Sequence, residues 1–77
     1  MEALLSGIIS KLVDDAEGLK IDRKDEDQTI KYRIHVLPED VGKVVGKKGQ
    51  NINALRIIFK AIGAKELRKR IWIDIEE

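Results

Sequence analysis

The chain of 77 residues has no cysteine, which excludes disulfide staples and thiolate metal sites. Its one proline, Pro38, leaves a single place where a ring can interrupt a helix or strand. Aromatic residues are one Trp, one Tyr and one Phe, so the core must be built from Ile, Leu and Val. No apolar run approaches the ~18 residues of a bilayer span, and no membrane partner is expected. The start, Met1-Glu2-Ala3-Leu4-Leu5, lacks the basic segment of a secretion signal, so the expected location is cytoplasmic. The one histidine, His35, falls on the polar side of a strand pattern, with no carboxylate beside it in sequence. A relay for acid–base catalysis therefore has no footing, and the chain reads as a non-enzyme without a small-molecule substrate.

The acidic cluster Asp25-Glu26-Asp27 lacks the spaced ligands and central glycine of a calcium loop. It reads as a hairpin turn, and neither metal nor cofactor is expected. The length implies one domain, residues 1–77. A domain of this size buries only roughly 60% of its unfolded surface, and an apolar content of 43% suffices for that.

What is present is charge, unevenly placed. The net charge is +1, which says nothing about partners. Between Val41 and Lys65, however, stand Lys43, Lys47, Lys48, Arg56, Lys60 and Lys65, and no acid. Acids gather at Asp14-Asp15 and from Asp22 to Asp27. One side of the molecule is expected to be positive and another negative.

Periodicity gives the elements. Apolar residues from Leu4 to Ala16 recur at helical spacing, so a helix is expected over residues 3–16 with Gly18 ending it. Leu19 to Arg23 reads as a short strand, and Lys24 to Gln28 as a polar turn. Thr29 to Leu37 alternates: Ile30, Tyr32, Ile34 and Val36 face inward, Lys31, Arg33 and His35 outward. Pro38 opens a short helix to Val45. A longer helix follows from Gln50 to Ile62, its core stripe Ile52, Leu55, Phe59 and Ile62, with Gly63 as its C-cap. Arg70 to Ile75 is the last strand, with Trp72 and Asp74 pointing away from the core. The order is α-β-β-α-α-β. A strand returning after two helices favours a parallel neighbour. The expected architecture is an α+β, three-stranded mixed sheet with all three helices on one face.

Between the last two helices lies Gly46-Lys47-Lys48-Gly49. Glycines permit positive φ and leave backbone bare. Lysines put cations at the tip, and the following helix aims its free N–H groups at the same point. Such a tip suits phosphates, and a polymer with a phosphate at every unit is the natural ligand. A Walker A loop is excluded: Gly42 and Gly46 are one residue too close, and no Ser or Thr follows.

The run Val45-Gly46-Lys47-Lys48-Gly49-Gln50-Asn51-Ile52, framed by strand–helix–helix–strand, resembles the KH domain. The added leading helix and strand resemble its type II, prokaryotic form, and the length resembles the small bacterial single-KH RNA-binding proteins. The resemblance implies single-stranded RNA as partner, with a G-x-x-G loop clamping about four nucleotides. Carried onto this chain, it implies an RNA-binding set of Gly42, Lys43, Val45, Gly46, Lys47, Lys48, Gly49, Asn51, Ile52 and Arg56. Gly42, Val45 and Ile52 would floor a groove for bases, with Arg33 or Ile34 on the opposite wall. It also implies an RNA chaperone that pairs with itself or with a second KH-type RNA-binding protein and bears on cell shape and the cell wall. Ile57 and Ile58, off the core stripe of their helix, are the candidate dimer interface. Two other readings stand beside this one: a helix-hairpin-helix-like binder of the DNA backbone, and a KH module that binds protein alone.

Overall fold

Alternation along the last two strands dictates the sheet. The structure, a computed structural model, describes residues 1–76; Glu77, at the end of the expected domain, lies outside the described residues. Strand β1 (Lys20–Asp25) pairs antiparallel with β2 (Thr29–His35), and β2 pairs parallel with β3 (Arg70–Ile75). The sheet order is β1-β2-β3. The parallel register sets Ile30 beside Ile71 and Tyr32 beside Ile73. Because side chains alternate, these four and Ile34 share one buried face.

Helices α1 (Glu2–Ser10), α2 (Pro38–Val45) and α3 (Gln50–Ile62) cover that face. They contribute Leu5 and Ile9, Val44, and the stripe Ile52, Leu55 and Phe59 to one core. Each such side chain, fully buried, is worth roughly 1.5–3 kcal/mol. The opposite sheet face carries Lys31, Arg33 and Trp72, all exposed. This is the α+β arrangement expected from the sequence, with the topology of a type II KH fold.

Strand β2 ends at His35 rather than Leu37, and three further differences have a visible physical cause. Helix α1 stops at Ser10 rather than near residue 16. The N–H groups of Lys11 and Leu12 fall back on the carbonyls of Ile8 and Ile9. Those of Asp14 and Asp15 are then drawn to the Asp40 carboxylate in α2. Val13 stays buried in the core even though the helix has ended. Gly18 accordingly ends no long helix. It closes a tight turn, Ala16–Gly18, that the Asp15 side chain caps by accepting from the Glu17 N–H. Strand β1 runs two residues past Arg23, to a turn closed by the Glu26 N–H donating to the Thr29 carbonyl at 2.7 Å.

Gly63 is the third difference. It is not a left-handed cap: its φ and ψ, −62° and −42°, continue the helix. The chain widens into a π-turn over Gly63–Leu67, and Arg68 takes the left-handed position at φ 54°. Gly63 is required instead by proximity. A Cβ there would lie 2.2 Å from Ile71 Cγ1 and 3.1 Å from the Lys69 carbonyl oxygen. The helix end thus sits directly on β3. Gly63→Ala is expected to lower unfolding free energy by about 1–3 kcal/mol, the scale of overpacking. Urea denaturation checks it, and a stability equal to wild type would show that the contact yields freely.

Candidate nucleic-acid interface

The reversal between α2 and α3 is made in four residues. The Gly46 N–H closes α2 on the Gly42 carbonyl at 2.8 Å. Gly46 then adopts φ 78°, ψ 173°. A Cβ at Gly46 would meet the backbone nitrogen of Asn51 at 2.9 Å and its Cγ at 2.7 Å. Both the dihedral and the space therefore demand glycine there. Gly49, at φ 77°, ψ 14°, demands it by conformation alone, since a Cβ would find only Asn53 at 3.5 Å. Between them Lys48 is left-handed at φ 56°, ψ 26°, a conformation that costs an L-residue roughly 1–2 kcal/mol.

Asn51 locks the turn. Its Nδ2 donates to the Lys43 carbonyl at 2.9 Å, tying the start of α3 to the last turn of α2. The N-cap of α3 is Gly49, and no side chain caps it. The Gln50 N–H returns to the Lys47 carbonyl, and no side chain caps the rest of this first turn, which lies at the positive end of the helix dipole. Lys47 and Lys48 are exposed. Among the described residues neither is paired with a carboxylate, whereas Lys43 and Arg56 both are.

Lys43 points the other way. Its Nζ bonds Asp14 and, at 3.3 Å, Asp40. Asp40 is 1% exposed and also accepts from the N–H groups of Asp14 and Asp15 at 3.3 and 3.2 Å. Burial opposes its charge, but those two N–H groups and Lys43 outweigh it, so the carboxyl is held below its ordinary range. The Lys43 ammonium is held above its range, chiefly by its bond to Asp14. Arg56 is likewise engaged: its Nε donates to the Ile73 carbonyl at 2.9 Å, and Asp74 lies 3.9 Å from its guanidinium. Of the acid-free run of cations, two are thus turned to internal partners.

The family model described as "KhpA/KhpB, KH domain" matches residues 2–75. The chain belongs to this KH family. It is similar to the "RNA-binding protein KhpA" of Oceanobacillus iheyensis, 39% identical over 75 residues that cover 97% of this chain and 99% of that one. The protein of the same name from Listeria monocytogenes is 36% identical over 77 residues, the full length of both. That of Caldanaerobacter subterraneus is 36% identical over 75 residues, 97% of this chain and 99% of the relative. No solved structure matches the chain.

Within this KH chain the residues expected at the site separate into groups. Gly46, Lys47, Lys48 and Gly49 form the tip, with exposed Gly42 and half-buried Val45 beside it on α2. Ile52 is a core residue, 5% exposed, and seats the loop from below. The expected opposite wall is corrected. Ile34 is fully buried, and Arg33 lies on the helix-free face beside Asp74. Strand β2 is central, so the strand that flanks α3 is β3, reached through Arg56. Ile57 and Ile58 are 70% and 48% exposed. His35 does have acidic neighbours, in space rather than in sequence: Asp22 at 2.6 Å and Glu76 at 3.1 Å. Among the described residues no three His, Cys, Asp or Glu side chains group as a metal site, and no helix is long and apolar enough to cross a membrane.

The residue that sequence reasoning missed is Asp40. It reads as an acid at a helix start, while in space it closes the turn that follows α1. Only a contact across 25 and 26 residues reveals this. A carboxyl whose folded pKa is depressed stabilises above its ordinary value of 3.8 and loses that contribution as pH falls through the folded value. Asp40→Asn is therefore expected to be less stable than wild type at neutral pH, with the gap closing in acid. Melting curves between about pH 7 and pH 2 check this, and parallel curves would remove the ionic role.

Proposed function

We propose that residues 1–77 act as one type II KH domain that binds single-stranded RNA without catalysis. The backbone is gripped at Gly46–Gly49. The observation that carries this is a left-handed turn whose two exposed lysines have no carboxylate partner among the described residues, set at the start of α3, which no side chain caps. RNA rather than duplex DNA is supported by the names of the relatives. Gly46 and Gly49 let the sugar-phosphate chain approach. Lys47 and Lys48 supply charge. Gly42 and Val45 offer the adjoining surface to bases, with Arg56 at its margin. Lys43, Asn51 and Ile52 act by holding the loop in place.

No aromatic ring stands at this tip: Tyr32 and Phe59 are buried, and Trp72 is on the far sheet face. Base stacking, worth ~1–3 kcal/mol per base, is missing there, so affinity at the loop is modest and base preference loose. With about three phosphates neutralised, the log–log salt slope is near −2, at roughly 0.7 per phosphate. Lys47→Asp/Lys48→Asp should weaken binding about tenfold or more at low salt and flatten the slope by about 1.4. Lys48→Gly separates charge from conformation: it relieves the left-handed strain, so stability is kept or raised while RNA affinity falls. Anisotropy titrations with labelled RNA, with duplex DNA as competitor, check both. Affinities equal to wild type in both variants would sink the reading.

A paired state is the second part of the proposal, as a homodimer or with a second KH-type RNA-binding protein. Ile57 and Ile58, exposed side by side on α3, support it, since joining two small footprints raises avidity without new contacts. Ile58→Asp should convert a sedimenting dimer to a monomer, and an unchanged mass would exclude this surface. By family likeness alone, the proposal extends to RNA-chaperone action in the cytoplasm with an effect on cell shape and the cell wall.

A further inference from the structure

We infer a second contact for single-stranded RNA, at the β3 edge of the sheet, in which a base stacks on Trp72 and phosphates lie along Lys60 and Arg70. The choice of ligand rests on the reading of the loop as an RNA grip, but the site is separate from it. Trp72 is 57% exposed. It is turned outward by the alternation that buries Ile71 and Ile73. Lys31 stands directly across from it on β2, and Lys24 beyond that on β1, in one cross-strand row.

A groove of about 850 Å³ runs beside the ring, with Lys31, Lys60, Arg70 and Glu26 among its lining. A second groove of about 580 Å³ continues from it through Lys60 and Arg70 to Arg68 and Lys69. Together the two linings hold five cations (Lys31, Lys60, Arg68, Lys69, Arg70) and one carboxylate, Glu26. Glu26 is already engaged with Lys24 and Lys31. Among the described residues Lys60, Arg68 and Arg70 have no carboxylate partner, in contrast to Arg33, Lys43 and Arg56.

An exposed ring set in a cationic groove is the arrangement that holds unpaired nucleic acid: the ring takes any base face, and the cations follow the backbone. A protein partner fits worse, because lysine is depleted in protein interfaces, and here Lys31 and Lys60 line the groove beside the ring. Lys60 lies ten residues along α3 from Gln50, about 15 Å. A strand leaving the Gly46–Gly49 tip can therefore run along α3, cross Lys60 and Arg70, and reach Trp72. The two contacts then add only for an oligonucleotide longer than the loop alone can hold.

Trp72 is the only tryptophan, so intrinsic fluorescence reports this groove and no other part of the chain. The probes are oligoadenylates of about twelve and about four nucleotides, spanning the usual range of site sizes. The longer probe is expected to quench Trp72 and bind more tightly than the shorter. Trp72→Ala should weaken the longer probe about five- to hundredfold and leave the shorter unchanged, while Trp72→Phe keeps most of the affinity. If Trp72 emission stays constant while anisotropy shows binding, or if Trp72→Ala binds the longer probe as wild type does, the inference falls and the loop grip stands. If Lys47→Asp/Lys48→Asp leaves affinity intact while Trp72→Ala abolishes it, the loop reading falls and this site stands. If Trp72→Ala changes the sedimenting mass but not RNA affinity, the face serves self-association and the inference is wrong.

Discussion

The chain must turn from one helix into the next within four residues and still bring both helices down on the same sheet. Gly46 makes this possible. Its positive φ redirects the backbone, and its missing side chain lets the amide of Asn51 approach to a distance no Cβ tolerates. Asn51 then reaches back to the Lys43 carbonyl and closes the corner. With that corner made, Val44 on one side and Ile52 on the other fall into one core. Lys48 is held in a strained left-handed state because packing on both flanks over-determines the turn. The geometry proposed to bind phosphate is thus a by-product of a core constraint. Two side chains that cannot point inward are carried by backbone that cannot relax.

Pairing decides which charges face a ligand. The chain has 15 basic and 14 acidic residues, so nearly every cation could in principle be neutralised within the molecule. Asp40 and Asp14 hold Lys43, Asp74 stands beside Arg56 and Arg33, and Glu26 lies near Lys24 and Lys31. Asp40–Lys43 and Glu26–Lys24 are neighbours in sequence, whereas Asp14, Asp74 and the Glu26–Lys31 pair meet only through the fold or its hairpin. Among the described residues the exposed lysines of the turn, Lys47 and Lys48, have no such partner. Exposed ion pairs of this kind add little stability, about 0–1 kcal/mol each. Their larger effect is on the field that an approaching polyanion meets.

Two surfaces of unlike character result. The glycine corner offers bare backbone, a helix N-terminus and two cations, but no ring. The β3 edge of the sheet offers a ring and a run of cations, but no helix N-terminus. A single strand of nucleic acid has both phosphates and base faces, so the two surfaces suit different parts of one ligand. Their separation, about the length of α3, makes the span of a strand rather than local affinity the quantity that joins them.

Much of this was legible without a structure. The bounds of α3 and β3, the parallel return of β3 and the outward turn of Trp72 follow from period and alternation, because one buried face forces each side chain's direction. The corner at Gly46–Gly49 follows from residue type, because few sequences can supply positive φ twice in four residues. Other features were decided only in three dimensions. Helix α1 ends where Asp40 captures the following amides, although the apolar period runs on. Gly63 is small because Ile71 lies against it, not because the helix stops. Lys43 and Arg56 look like ligand-facing cations until Asp14 and Asp74 arrive from distant positions. Local propensity and period act between residues a few places apart and are written in the chain. Charge pairing and close packing act through space between segments that meet only when the core closes.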